Sequence, residues 1–131
     1  MTMKRAVLLS VCLLVFGSVL SLPARGQLWD FLGHMKLDST RDHDRIQITR
    51  RDAAFQAIQL RVSGDAIFFD RVVVHFADGT SEELALRDRV WPGAKNRVIG
   101  LSGERRAVES VELWYYKEPW EHNPTVILYG S

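Results

Sequence analysis

Residues 108–116 read VESVELWYY. Val111, Leu113 and Tyr115 fall on one side of an extended chain, and Glu112, Trp114 and Tyr116 on the other. That period of two marks a strand buried on one face and wet on the other. Fully extended, the nine residues would span about 30 Å, at roughly 3.3 Å per residue. The stretch is therefore expected to be a central strand, with further strands arranged around it.

The flanking sequence repeats the same pattern in shorter runs. Ile46 and Ile48 alternate with polar neighbours after an aspartate-rich turn, residues 38–44 (DSTRDHD). Ile58, Leu60 and Val62 point inward, with Ala57, Gln59 and Arg61 outward. Val72, Val74 and Phe76 share a face ahead of Asp78-Gly79, a dipeptide that accepts positive φ at both positions of a tight hairpin turn. Ser81–Leu86 returns from that turn with Leu84 and Leu86 inward. Residues 98–101 and 125–129 supply two more short strands. Long loops are expected at 87–97, around Trp91-Pro92-Gly93, and at 117–124 (KEPWEHNP). Trp29 and Leu32 anchor the start of the domain, and Gly33 is expected to turn the chain into its first strand. Eight or nine short strands about ten residues apart, with turn signals between them and no sustained helical period, indicate an all-β, antiparallel sandwich or jelly-roll-like fold.

Residues 1–26 have a different character. Lys4 and Arg5 precede a nearly unbroken apolar run from Ala6 to Leu22, and Ala24 and Gly26 sit three and one residues before a cleavage point. This is the order of a secretory signal peptide. An uncleaved anchor is the competing reading, but the run is at the short edge of what spans a bilayer. Cys12 lies mid-run behind Val11, which disfavours lipidation. Cleavage leaves one domain, residues 27–131, starting at Gln27 and without a membrane span.

The leader contains the only cysteine, so no disulfide and no cysteine nucleophile is possible in what remains. It also removes three of the 17 basic residues, which leaves 14 Lys and Arg against 16 Asp and Glu. That balance argues against a nucleic-acid partner, which calls for a net basic surface.

Leu32-Gly33, the Ile-x-Ile strand, Ile-x-Leu-x-Val at 58–62 and Val-x-Val-x-Phe before Asp-Gly at 72–79 occur in a set order. Arg-Val-Ile-x-Leu-x-Gly at 97–103, Arg-x-Val-x-x-Val-x-Leu at 106–113 and Val-x-Leu-x-Gly at 126–130 complete it. In this order of motifs the chain resembles a family of small exported bacterial proteins carried as a domain of unknown function. The resemblance spans nearly the whole mature chain and rests on core and turn positions. It implies a periplasmic or secreted bacterial β protein, and it supplies no catalytic residues.

For chemistry, the chain has no Gly-x-Ser-x-Gly elbow, no His-Glu-x-x-His and no phosphate-cradling glycine loop. Asp38, Asp42, His43 and Asp44 offer too few oxygens for a hard cation and read as a solvated turn bonding its own backbone. His75 and His122 read as surface histidines, since no spacing forces either onto a carboxylate. No catalytic residue, metal or cofactor is assigned. The candidate binding residues are Trp114 and Tyr116 on the outward face of the central strand, with Trp120 from the 117–124 loop. Aromatic rings of this kind stack on sugars or anchor a partner protein; alternatively, a loop tryptophan folds over Trp114 as a structural cap. The functional expectation is an exported, non-catalytic binding or envelope-interaction module for a glycan or an envelope protein. The alternative is a structural or stress-related envelope protein without a small ligand, and a small secreted hydrolase ranks behind both.

Overall fold

The structure, a computed structural model, describes residues 28–50, 53–93 and 97–131. The leader and Gln27 lie outside the described residues, as do Arg51 and Asp52 of the charged turn after Thr49. The described residues form ten strands: β1 (Asp30–Lys36), β2 (His43–Gln47), β3 (Ala54–Phe55), β4 (Ala57–Ser63), β5 (Ile67–Phe76), β6 (Ser81–Glu83), β7 (Arg89–Val90), β8 (Arg97–Gly100), β9 (Arg106–Tyr115) and β10 (Thr125–Gly130). β3 and β7 have two residues each, too short to show any period, which is why the sequence pattern counts fewer.

The strands build two antiparallel sheets. One has the order β1-β10-β4-β8; the other has the order β2-β9-β5-β6, with β3 added to β9 and β7 to β5. The stretch at 108–116 is the spine of the second sheet, since β9 pairs with β2, β3 and β5. Leu32, Ile58, Leu60, Val126 and Leu128 from the first sheet meet Ile46, Val72, Val74, Val111 and Leu113 from the second in one buried core. Away from the two bulges between β5 and β9, the core residues of each strand are every second one, so most of the core follows from the alternation.

Two bulges adjust the second sheet. The β5–β9 register shifts between Phe69 and Arg71 and again between His75 and Phe76. The second shift leaves Glu109 without a β5 partner, although its carbonyl accepts from the Ile48 N–H at 3.0 Å, and Val108 and Val111 both point inward although they are three residues apart.

Two turn expectations are corrected. Gly33 makes no turn; it lies within β1, where an added Cβ would stand 2.9 Å from Ile46 Cγ2 and 3.0 Å from the Gln47 carbonyl oxygen. The close approach of two backbones, not flexibility, calls for glycine there. At the β5–β6 hairpin only Gly79 has positive φ, at 93°. Asp78 instead accepts hydrogen bonds from the Thr80 N–H at 2.9 Å and the Thr80 hydroxyl at 2.6 Å, and Phe76 N–H donates to the Thr80 carbonyl. The longer loop with a left-handed glycine satisfies the aspartate locally, which a two-residue turn would not.

Candidate functional site

The outward side chains of the second sheet stand in three ranks across its strands. The first is His43–Trp114–Arg71, the second Arg45–Glu112–Val73–Glu83, and the third Gln47–Ser110–His75–Ser81. Glu112 is the centre of this array. His43 Nε2 lies 2.7 Å from its Oε2 and His75 Nε2 lies 2.6 Å from its Oε1. Arg45 adds a guanidinium 3.3 Å from Oε1, and the Glu112 side chain is only 13% exposed. An ionised carboxylate only accepts, so both imidazoles donate from Nε2. Burial alone would raise the Glu112 carboxyl, but the hydrogen bonds from His75 and His43 and the charge of Arg45 outweigh it and hold the group below its ordinary range. Arg45 also donates to the buried Ser110 hydroxyl at 3.1 Å.

This cluster was not legible beforehand. His43, His75 and Glu112 come from three strands, and the β5–β9 register carries two bulges, so no spacing along the chain brings them together. The one available signal was their shared outward phase. With each carboxylate oxygen taken by an imidazole and the serine hydroxyl engaged, the arrangement works as a polar clasp tying β2 and β5 to β9. Among the described residues no group of three His, Cys, Asp or Glu is arranged to hold a metal ion, and no helix is long and apolar enough to cross a membrane.

The three aromatic candidates part company. Trp114 is flanked in its rank by the His43 ring, 4.6 Å between centroids, and by the Arg71 guanidinium, 4.7 Å from its ring. Its position between a stacked imidazole and a cation leaves it held in place on both sides. Tyr116 lies just beyond β9; its N–H donates to the Phe68 carbonyl, its ring packs 5.0 Å from Phe68, and its hydroxyl donates to Asp70 at 3.3 Å. Even so, it remains 46% exposed.

Trp120 does not reach Trp114. Its ring lies 6.2 Å from Tyr115, on the inward side of β9, and its Nε1 donates to the Ala66 carbonyl at 2.9 Å. It packs against the core and is neither a cap over Trp114 nor part of one surface with it. Tyr115 in turn donates its hydroxyl to Asp44 at 2.6 Å; burial first, and then the Asp44 carboxylate, push its phenol well above the usual range.

Trp91, noted in the sequence only as a loop tryptophan, completes the surface. It is 60% exposed. The Arg89 guanidinium lies 5.8 Å from its ring and 5.6 Å from the Phe68 ring, and is held by Glu118 at 3.2 Å. A ridge thus runs Tyr116–Phe68–Arg89–Trp91. Beside it opens a groove with a volume of about 400 Å³, lined by Trp91, Arg89 and Glu118 on one part and by Trp120 and Asp65 on another. Asp65 is fixed by the His122 N–H at 2.9 Å.

Among known proteins, the family model described as Domain of unknown function (DUF2541) matches residues 7–130. No curated protein and no solved structure matches the chain.

Proposed function

The chain belongs to the family described as Domain of unknown function (DUF2541), and we propose that it is an exported, non-catalytic module that recognises a protein of the bacterial envelope. The observation that carries this reading is the Tyr116–Phe68–Arg89–Trp91 ridge, on which two large aromatic rings stay open to solvent beside a groove. Tryptophan, tyrosine and arginine are the side chains that most often dominate the energetics of protein interfaces. Here the guanidinium is already oriented by Glu118 and by two rings, so little freedom is lost when a partner docks.

The non-catalytic part rests on the clasp. Its acid–base groups are committed to one another on the outward sheet face, and none of them lines the groove. Export rests on the charged start, apolar run and small-x-small end of residues 1–26. Intact mass of the protein recovered from the periplasm tests that part directly: a chain starting at Gln27 is expected, and one retaining residues 1–26 contradicts it.

Recognition is tested with immobilised wild type and the double variant Trp91→Ala/Tyr116→Ala, exposed to the same solubilised envelope fraction. The wild type is expected to retain a defined protein that the double variant loses, with both folded to the same extent. Equal retention by the two would refute the ridge as the interface.

A further inference from the structure

On the opposite side of the sandwich, β1, β10, β4 and β8 turn a second face to solvent. Phe31, Tyr129, Gln59 and Val98 form one rank across all four strands. His34, Ile127 and Arg61 form the next, and Lys36, Thr125 and Ser63 a third. Phe31 and Val98, on the two edge strands of this sheet, are 46% and 51% exposed. The Phe31 ring meets Tyr129 edge-on at 6.1 Å, and the Arg61 guanidinium lies 5.3 Å from the Tyr129 ring.

Gln59 sits between Tyr129 and Val98 in the middle of this rank. It is only 7% exposed. No hydrogen bond to its carboxamide is present among the described residues. A buried amide without a partner is costly, and native proteins seldom carry one without a use for it. The inward positions of β4 are Ile58, Leu60 and Val62, so the amide belongs to the outer face. It is a donor and acceptor set without a partner among the described residues, between Tyr129 and Val98.

That combination selects a ligand chemistry. A sugar hydroxyl both donates and accepts, as a carboxamide does, and a pyranose ring has an apolar face suited to aromatic side chains. The charges narrow it further. Lys36 and Arg61 have outward phase on these strands, whereas no Asp or Glu does. A polymer bearing carboxylates complements such a face.

We propose that the outer face of the β1-β10-β4-β8 sheet binds an acidic polysaccharide, with sugar rings against Phe31 and Tyr129, a hydroxyl on the Gln59 carboxamide and carboxylates toward Lys36 and Arg61. This site is separate from the Trp91–Tyr116 ridge and stands or falls without it.

The test is calorimetric titration of the purified protein with oligogalacturonate, and with neutral dextran as the control polymer. Wild type is expected to bind oligogalacturonate, and dextran at least about tenfold more weakly. Gln59→Leu and Phe31→Ala are each expected to weaken oligogalacturonate binding by about tenfold or more. Gln59→Leu is expected to melt no lower than wild type, because it removes no hydrogen bond; this separates loss of the site from loss of the fold. Trp91→Ala/Tyr116→Ala is expected to bind the polymer as wild type does. Absence of binding, equal binding of dextran, or unchanged binding by Gln59→Leu would each overturn the proposal.

Discussion

Trp120 and Trp91 line the same groove and are held in opposite ways. Trp120 packs on Tyr115 and the core and gives its indole N–H to the Ala66 carbonyl. Trp91 stands open with a guanidinium as its ring neighbour. The same division recurs around the end of β9, where Trp114 lies between His43 and Arg71 while Tyr116 keeps much of its ring in water. Outward phase on a strand therefore does not decide whether an aromatic ring is free. What decides it is whether the neighbouring strands and loops supply groups that cover it, and at Trp91 and Tyr116 that cover is incomplete.

Substitutions along this division should fall in a definite order. Trp120→Ala removes a core-packed ring and leaves the Ala66 carbonyl without its donor, so a loss of about 3–5 kcal/mol is expected in urea unfolding. A value under about 1 kcal/mol would move Trp120 to the open set. Glu112→Ala takes away the acceptor shared by two imidazoles and Arg45, and about 1–3 kcal/mol is expected at pH 7. Its outward phase alone would have suggested under about 1 kcal/mol.

The pH dependence follows from the depressed Glu112 carboxyl. The folded protein holds this group ionised more strongly than the unfolded chain does, so its contribution is present above the ordinary value of 4.5 and is lost as pH falls through the lower folded value. Wild type should lose stability below about pH 4.5, and Glu112→Gln, less stable at neutral pH, should show a shallower acid loss. Parallel acid-unfolding curves for the two would show that the clasp is not held by charge. Trp114→Ala forfeits one stacked imidazole and one cation–π contact, for which about 1–2 kcal/mol is expected. Tyr116→Ala should stay within about 1 kcal/mol of wild type, measured the same way.

The inner half of this molecule was legible in the sequence, and the outer half largely was not. Val111, Leu113 and Tyr115, and with them Val72, Val74 and Phe76, announce their burial through a period of two, and all six are buried as that pattern requires. Hydrophobic burial is a property of each strand by itself. The clasp is a property of three strands at once: Glu112 meets His43 and His75 only because β2, β9 and β5 lie side by side in one register, and two bulges set part of that register. The three aromatic candidates do not gather on one surface, for a related reason. Trp120 follows Tyr116 by four residues, yet its ring lies by Tyr115, on the inward side of β9. Trp91 carried a visible sign, a tryptophan beside Pro92-Gly93 in a loop, but its link to Tyr116 through Arg89 and Phe68 depends on the pairing of β5 with β7.

The division between held and open aromatics is tested most directly by the unfolding free energies of Trp91→Ala and Trp120→Ala, measured side by side in urea. The structure predicts that Trp91→Ala stays within about 1 kcal/mol of wild type while Trp120→Ala falls by about 3–5 kcal/mol. Comparable losses in the two, or a larger loss at Trp91, would contradict it, because Trp91 would then be part of the packed structure and not a surface left free for recognition.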